Sequence, residues 1–288
     1  MESVFLDHAW SRDATKVGGK GAGLGRLAGD FAVPPAFIVT TDAFNRWGEC
    51  RHNSSDPPDD MIQAVGAAYD TLGTLCDTDD PTRVAVRSSA VDEDGSDNSF
   101  AGQHETFLNV KGDGAVARAI VRCWSSLDGH VAMDYRRQSG IAVNNAIMAV
   151  VVQQMVPADV AGVAFSANPI TGDLGQVVIN SSWGLGESVV SGTVTPDMYT
   201  INKSDDSLVS SQISNKTKMT ISKTDGAEEV TVPKIMRDQS SMSDGQVLDV
   251  ARLTASLEKA EGHPVDIEWA FVKDNLYLLQ CRPITTLN

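Results

Sequence analysis

The chain has 288 residues, 42% hydrophobic and only 21% charged, which fits one large globular domain or two lobes around a cleft. Its 38 acidic and 23 basic residues leave a net charge of −15, which repels nucleic acid and excludes it as a partner. That acidity reads equally as a high-salt habit or as plain solubility. No apolar stretch reaches membrane-span length, and the start MESVFLDHAW lacks a signal peptide's basic head and apolar core. Cys50, Cys76, Cys123 and Cys281 show no CxxC spacing, so a cytoplasmic chain with reduced thiols is expected.

In chain order, KVGGKGAGLGRLAG at 16–29 comes first and opens a short helix. Gly18, Gly19 and Gly21 allow close backbone approach to a ligand, and Lys20 adds a mobile point charge for phosphate. No Ser or Thr follows the Lys, so this is not a Walker A loop, and a plain Gly-rich turn is the competing reading. Helices are expected over 41–49 and 60–75. Between them HNSSDPPDD reads as solvated loop, because Pro57 and Pro58 splay its carboxylates.

The stretch 83–110 is more specific. Val84 to Val86 reads as a buried strand with Arg87-Ser88-Ser89 at its carboxyl end, followed by a long polar loop to Ser99-Phe100-Ala101-Gly102-Gln103. The backbone N–H groups of that loop can fold over a phosphate chain. A helix over 113–139, broken at Asp128-Gly129, leads to a central-strand run at 146–152. Pro157 stops the ladder just after Gln154, Met155 and Val156. A segment leaving a sheet there exposes backbone groups that can read an adenine edge, with Met155 and Val156 on its face. Another strand precedes the Gly-flanked Glu187, and 198–233 reads as a small antiparallel region. Ser243 and Gln246 have capping-box spacing for a helix running to about 261.

The chain closes on DIEWAFVKDNLYLLQCRPITTLN, read as two strands about Lys273-Asp274-Asn275. Alternate residues share a face. A three-residue loop with Asn275 in the left-handed position sets Glu268 opposite Gln280 and Asp266 opposite Arg282, whereas a two-residue loop slips that register by one. Carboxylate, amide and guanidinium on one face suit a metal-bound polyphosphate, and an edge hairpin with a solvated ion pair is the alternative.

The pieces GGKGAGLG, VAVRSSAVDED with SFAGQHETFLNV, VVVQQMV, AGVAFSANPITGD, WGLGESVVSG with TPDMY, and DIEWAF with LLQCRP occur in this order along nearly the whole chain. Together they resemble the nucleotide-binding domain of the phosphoenolpyruvate synthase and pyruvate, phosphate dikinase family, rifampicin phosphotransferases included. The resemblance implies an α+β chain with the ATP-grasp fold: two lobes clamping ATP under a Gly-rich lid loop. It implies a first lobe over 1–152, an adenine hinge over 153–157 and a second lobe over 158–288. It implies Lys20, Arg87 and Arg282 as the catalytic contacts to the phosphates, with Ser99, Ala101, Gly102 and Gln103 covering them. Gln154, Met155 and Val156 would hold the adenine, Glu187 the ribose or a lobe contact, and Glu268 and Gln280 would carry Mg²⁺.

In that family a separate swivelling domain carries a phosphorylatable His in a Thr-Ser/Cys-His setting. His8, His52, His104, His130 and His263 lie in no such setting. The expectation is therefore an ATP- and Mg²⁺-dependent phosphotransferase domain or subunit that is incomplete without a His-bearing partner. It would pass the β-phosphoryl of ATP to that His and release AMP and Pi, with the small-molecule acceptor unassigned. The alternatives are a free-standing kinase phosphorylating its acceptor directly and a non-catalytic nucleotide-binding module.

Overall fold

The computed structural model describes residues 1–53, 56–76, 82–91, 105–129, 146–223 and 226–285. The chain divides into two compact units, one of Met1–Met155 with Thr224–Gly226 and one of Val156–Lys223 with Ala227–Asn288.

The first unit is built on an antiparallel sheet of β1 (Ser3–Phe5), β2 (Ala36–Val39), β3 (Val84–Ala90), β4 (Thr106–Val110) and β5 (Met148–Gln154), in the order β1-β2-β5-β3-β4. Both faces are buried, which is why β5 reads as a continuous apolar run. Met148, Val150 and Val152 enter one core with residues of α2 (Thr41–Trp47), α4 (Asp59–Leu75) and α5 (Asp113–Ser125), while α3 is the short turn Cys50–Asn53. Ala149 and Val151 face the other way, in a core with Val17, Ala22 and Leu24 of α1 (Ala14–Leu27). Helix α1 starts where the Asp13 carboxylate accepts the Thr15 N–H and is kinked at Gly18 (φ 70°, ψ 171°).

One expectation for this unit changes. β3 runs on to Ala90, so Arg87, Ser88 and Ser89 lie inside the strand and not past its end. The helix from Asp113 is α-helical to Ser125, continues as one tight turn to Asp128 and leaves the helical region at Gly129 (ψ 142°), the expected break; its expected continuation over 130–139 lies outside the described residues.

The second unit has a six-stranded antiparallel sheet in the order β13-β12-β6-β7-β8-β9. Its strands are β6 (Val160–Phe165), β7 (Gln176–Trp183), β8 (Asp197–Asn202), β9 (Leu208–Gln212), β12 (Val265–Val272) and β13 (Asn275–Pro283). The expected region over 198–233 therefore splits. β8 and β9 extend the large sheet, while β10 (Lys218–Lys223) and β11 (Gly226–Thr231) form their own pair. A short α6 (Glu187–Val190) follows β7, and α7 (Asp244–Glu261) packs against β6, β7 and β12. Helix α7 opens on the expected capping box of Ser243 and Gln246 and closes on Gly262 at φ 78°.

One buried ion pair fastens β8 to the loops beside it. Asp197 and Lys216 are both fully buried, 2.5 Å apart. The other Asp197 contacts are the N–H of Ser214 at 2.9 Å and the N–H and Oγ of Ser241, each at 2.8 Å. Such a pair adds little over an apolar replacement, but breaking it strands a charge. Lys216→Met should therefore lower unfolding stability by about 3–5 kcal/mol. A urea midpoint equal to the parent's would refute this.

Candidate functional site

In the first unit the structure brings Lys20 and Arg87 to the same place. Lys20 Nζ donates to the carbonyl of Ser88 at 2.8 Å, the residue next to Arg87, and both cations are more than nine-tenths buried. Buried cations side by side favour an anion between or beside them. Gly18 has a neighbour other than the ligand expected for it. A Cβ on Gly18 would sit 2.0 Å from the carbonyl oxygen of Ser89, so this glycine lets helix α1 meet strand β3, not a ligand. Ser89 Oγ then ties the two elements, donating to Val17 O at 2.8 Å and accepting from Gly21 N–H at 3.0 Å. Helix packing against the strand is what carries Lys20 to Arg87. Ser99, Ala101, Gly102 and Gln103 lie outside the described residues.

Of the expected adenine segment, the N–H groups of Gln154 and Met155 are taken, by Pro35 O and Arg83 O at 2.8 Å each. Those two donors cannot read a base while these bonds stand. Val156 packs with Ala161 and Ala270, against Ala158, Val272, Tyr277 and Leu279. Glu187 is exposed at the start of α6, just after Gly186, where a Cβ would rest 3.5 Å from that of Ala161. It borders the same apolar patch.

The closing hairpin has the expected pairs, reached by a different route. Glu268 stands opposite Gln280 and Asp266 opposite Arg282, yet the turn is only Lys273-Asp274, because Asn275 already pairs with Val272. Lys273, not Asn275, takes the left-handed conformation (φ 54°). Its N–H donates to Asp159 Oδ2 at 2.7 Å and its carbonyl accepts from Gln246 Nε2 at 3.2 Å, which holds that geometry. The slip that a two-residue turn imposes is undone by a bulge. Trp269 pairs with Leu278 and Glu268 with Gln280, leaving Leu279 as the extra residue.

Register across β13, β12, β6 and β7 sorts one sheet face into three rows. Tyr277, Ala270, Ala161 and Ser182 form a row that is apolar at Ala270 and Ala161, Gln280, Glu268, Val163 and Asn180 the next, and Arg282, Asp266, Phe165 and Val178 the third. Glu268 and Gln280 are hard oxygen donors directly opposite one another. That fits Mg²⁺, which takes one or two protein ligands and fills its remaining positions with phosphate and water oxygens. Among the described residues no cluster of three or more His, Cys, Asp or Glu offers a self-sufficient metal cage.

Asp266 is the residue that sequence reasoning left out of the site, although the same alternation that marks Glu268 also marks it. Arg282 donates to its Oδ2 through Nε at 2.8 Å and Nη2 at 2.6 Å, so this part of the guanidinium fork faces a carboxylate. Burial pushes the Asp266 carboxyl above the ordinary aspartate range, Arg282 opposes the shift, and Glu268 adds to it. The folded chain thus keeps a proton on Asp266 where the unfolded chain has released it. That contribution to stability is complete below the ordinary aspartate value and is lost as pH rises through the raised one. Asp266→Asn should remove this fall from the plot of unfolding midpoint against mildly acidic pH. Parallel parent and variant profiles would show the carboxyl is not raised.

The chain belongs to the family described as "Pyruvate phosphate dikinase, AMP/ATP-binding domain", which it matches over residues 51–288. It is 36% identical to the phosphoenolpyruvate synthase of Aeropyrum pernix over 98% of this chain and 42% of that protein. It is 36% identical to the rifampicin phosphotransferase of Streptomyces sviceus over 94% of this chain and 34% of that protein. The prodigiosin synthesizing transferase PigC of Serratia marcescens is 39% identical over 94% of this chain and 32% of its own length. The chain spans less than half the length of these curated relatives. Among the described residues no helix is long and apolar enough to cross a membrane.

Proposed function

We propose that this chain is the ATP-binding part of a dikinase with the ATP-grasp fold, binding Mg²⁺–ATP and passing the β-phosphoryl to a His elsewhere. The observation that carries the reading is the order of the three rows: apolar patch, oxygen-donor pair, guanidinium. That is the order of base, metal and phosphate end along a nucleoside triphosphate. Val156, Ala161 and Ala270 would lie on the base beside Gln154 and Met155, and Glu187 would reach the ribose. Glu268 and Gln280 would hold Mg²⁺, whose charge would offset that of the phosphate oxygens when bound. Lys20, Arg87 and Arg282 would stabilise the charge spread over the transferring group, under a lid of Ser99 to Gln103.

In the transfer an imidazole nitrogen forms a bond to the β-phosphorus, the bond from that phosphorus to the α-phosphate oxygen breaks, and AMP leaves. Water then takes the γ-phosphate as Pi. The described histidines of this chain support a carrier elsewhere: His8 caps a turn by accepting the Trp10 N–H, His52 lies 3.6 Å from Asp128, and His263 Nδ1 sits 3.1 Å from Pro264 O. Relatives named for phosphoenolpyruvate synthesis and for rifampicin are consistent with one nucleotide part serving different acceptors.

Calorimetry should show one Mg²⁺-dependent ATP site, and no binding would sink the proposal. Arg87→Ala and Glu268→Ala should each cut transfer by about 10²- to 10³-fold with the fold intact, and transfer at the parental rate would remove those residues from the site. By ³¹P NMR the chain alone should form little AMP, and a His-bearing partner domain should release AMP and Pi together. Steady ADP with a phosphorylated small molecule would favour the direct kinase instead.

A further inference from the structure

The row that carries Glu268 and Gln280 has a fourth member on the opposite side of the carboxylate. Asn180 of β7 pairs with Val163, and Val163 pairs with Glu268, so all three side chains leave the same face of the sheet. Two strand spacings, about 9–10 Å, separate Asn180 from Glu268. A Glu and an Asn side chain reaching out past Val163, which stands between them on that face, can approach one cation from two sides.

Asn180 is also out of place as a structural residue. β7 is a central strand, hydrogen-bonded to β6 and β8, and Asn is depleted in such strands because its amide competes with the ladder. Its neighbours in register are Val163 and Met198, which offer the amide nothing. Its side chain is only half-buried and makes no hydrogen bond among the described residues. Two buried polar residues close by are satisfied: Asp197 accepts four hydrogen bonds, and Ser181 Oγ meets Ser241 Oγ at 2.7 Å.

We infer that Asn180 is a third protein contact to the metal of the nucleotide complex, its amide oxygen facing the cation directly or through one water, so that Glu268 is flanked by an amide on either side. This rests on the Mg²⁺–ATP reading above. Mg²⁺ keeps several waters and accepts neutral amide oxygens beside a carboxylate, and groups in its outer shell typically change affinity by about 10- to 100-fold.

Calorimetric titration of ATP with Mg²⁺ and with EDTA, and Mn²⁺ binding followed by electron paramagnetic resonance in the presence of ATP, provide the test. Asn180→Ala should weaken Mg²⁺–ATP binding about tenfold, leave metal-free ATP binding at the parental value, and alter the bound Mn²⁺ spectrum. Asn180→Asp should restore or tighten the metal complex. Equal affinities for parent and Asn180→Ala would overturn the assignment. So would an equal loss with and without metal, which would place the contact on ribose or base. A parent chain that does not bind Mg²⁺–ATP would instead overturn the reading on which this rests, and Glu268→Ala is the control that separates the two.

Discussion

Everything on the candidate ligand face of the second unit depends on one register. Side chains along a strand alternate with a period of two, so a shift of one residue moves every polar group of β13 from one face to the other. The two-residue turn at Lys273-Asp274 imposes such a shift, and the bulge at Leu279 reverses it before Gln280 and Arg282 are reached. Continued from Trp269 and Leu278 without that extra residue, the register would set Gln280 opposite the buried Ile267, Arg282 opposite the buried Val265, and Glu268 opposite Leu279. Leu279 is not idle in its new place, since it packs against the Val156, Ala161 and Ala270 patch. One inserted residue therefore sets Glu268 opposite Gln280 and contributes to the apolar patch.

The first unit solves a different problem, holding two cations near each other inside the protein. A lysine and an arginine both more than nine-tenths buried are costly to place unless the fold fixes them. Lys20 is fixed by its bond to the Ser88 carbonyl and by the seat of α1 on β3, where Gly18 removes the Cβ that would clash. Arg87 is fixed by its strand, with β5 and β4 on either side. A glycine-rich helix is weak by propensity. This one is held by contact between its backbone and the Ser89 side chain.

What the sequence made legible follows from which forces are local. The capping box at Ser243, the helix over Asp59–Leu75 and the pairing of Glu268 with Gln280 rest on contacts within a few turns of chain, and each could be read from spacing. The role of Gly18 could not. Ligand and strand backbone make the same demand on a glycine, and the partner Ser89 lies 71 positions away in sequence. The bulge was hidden because it compensates the turn, so the wrong loop length still led to the right pairs. Asp266 and its place opposite Arg282 could be read from the alternation, but the burial that raises its carboxyl could not.

The row containing Asn180 was illegible for a deeper reason. β12 lies beside β6, and β6 beside β7, so the hairpin that ends the chain is inserted next to strands formed about a hundred residues earlier. Periodicity assigns each strand two faces but never says which face of one strand joins which face of another. Only the register across all four strands puts an asparagine, a valine, a carboxylate and an amide in one line. Along the strands, each step of two residues, about 6.6–6.8 Å, changes the chemistry from apolar to oxygen donor to guanidinium. A rigid antiparallel sheet with one helix packed on it can hold that order to a fraction of that spacing, as a flexible loop could not. The polar residues that a ligand would meet in the second unit therefore stand on strands.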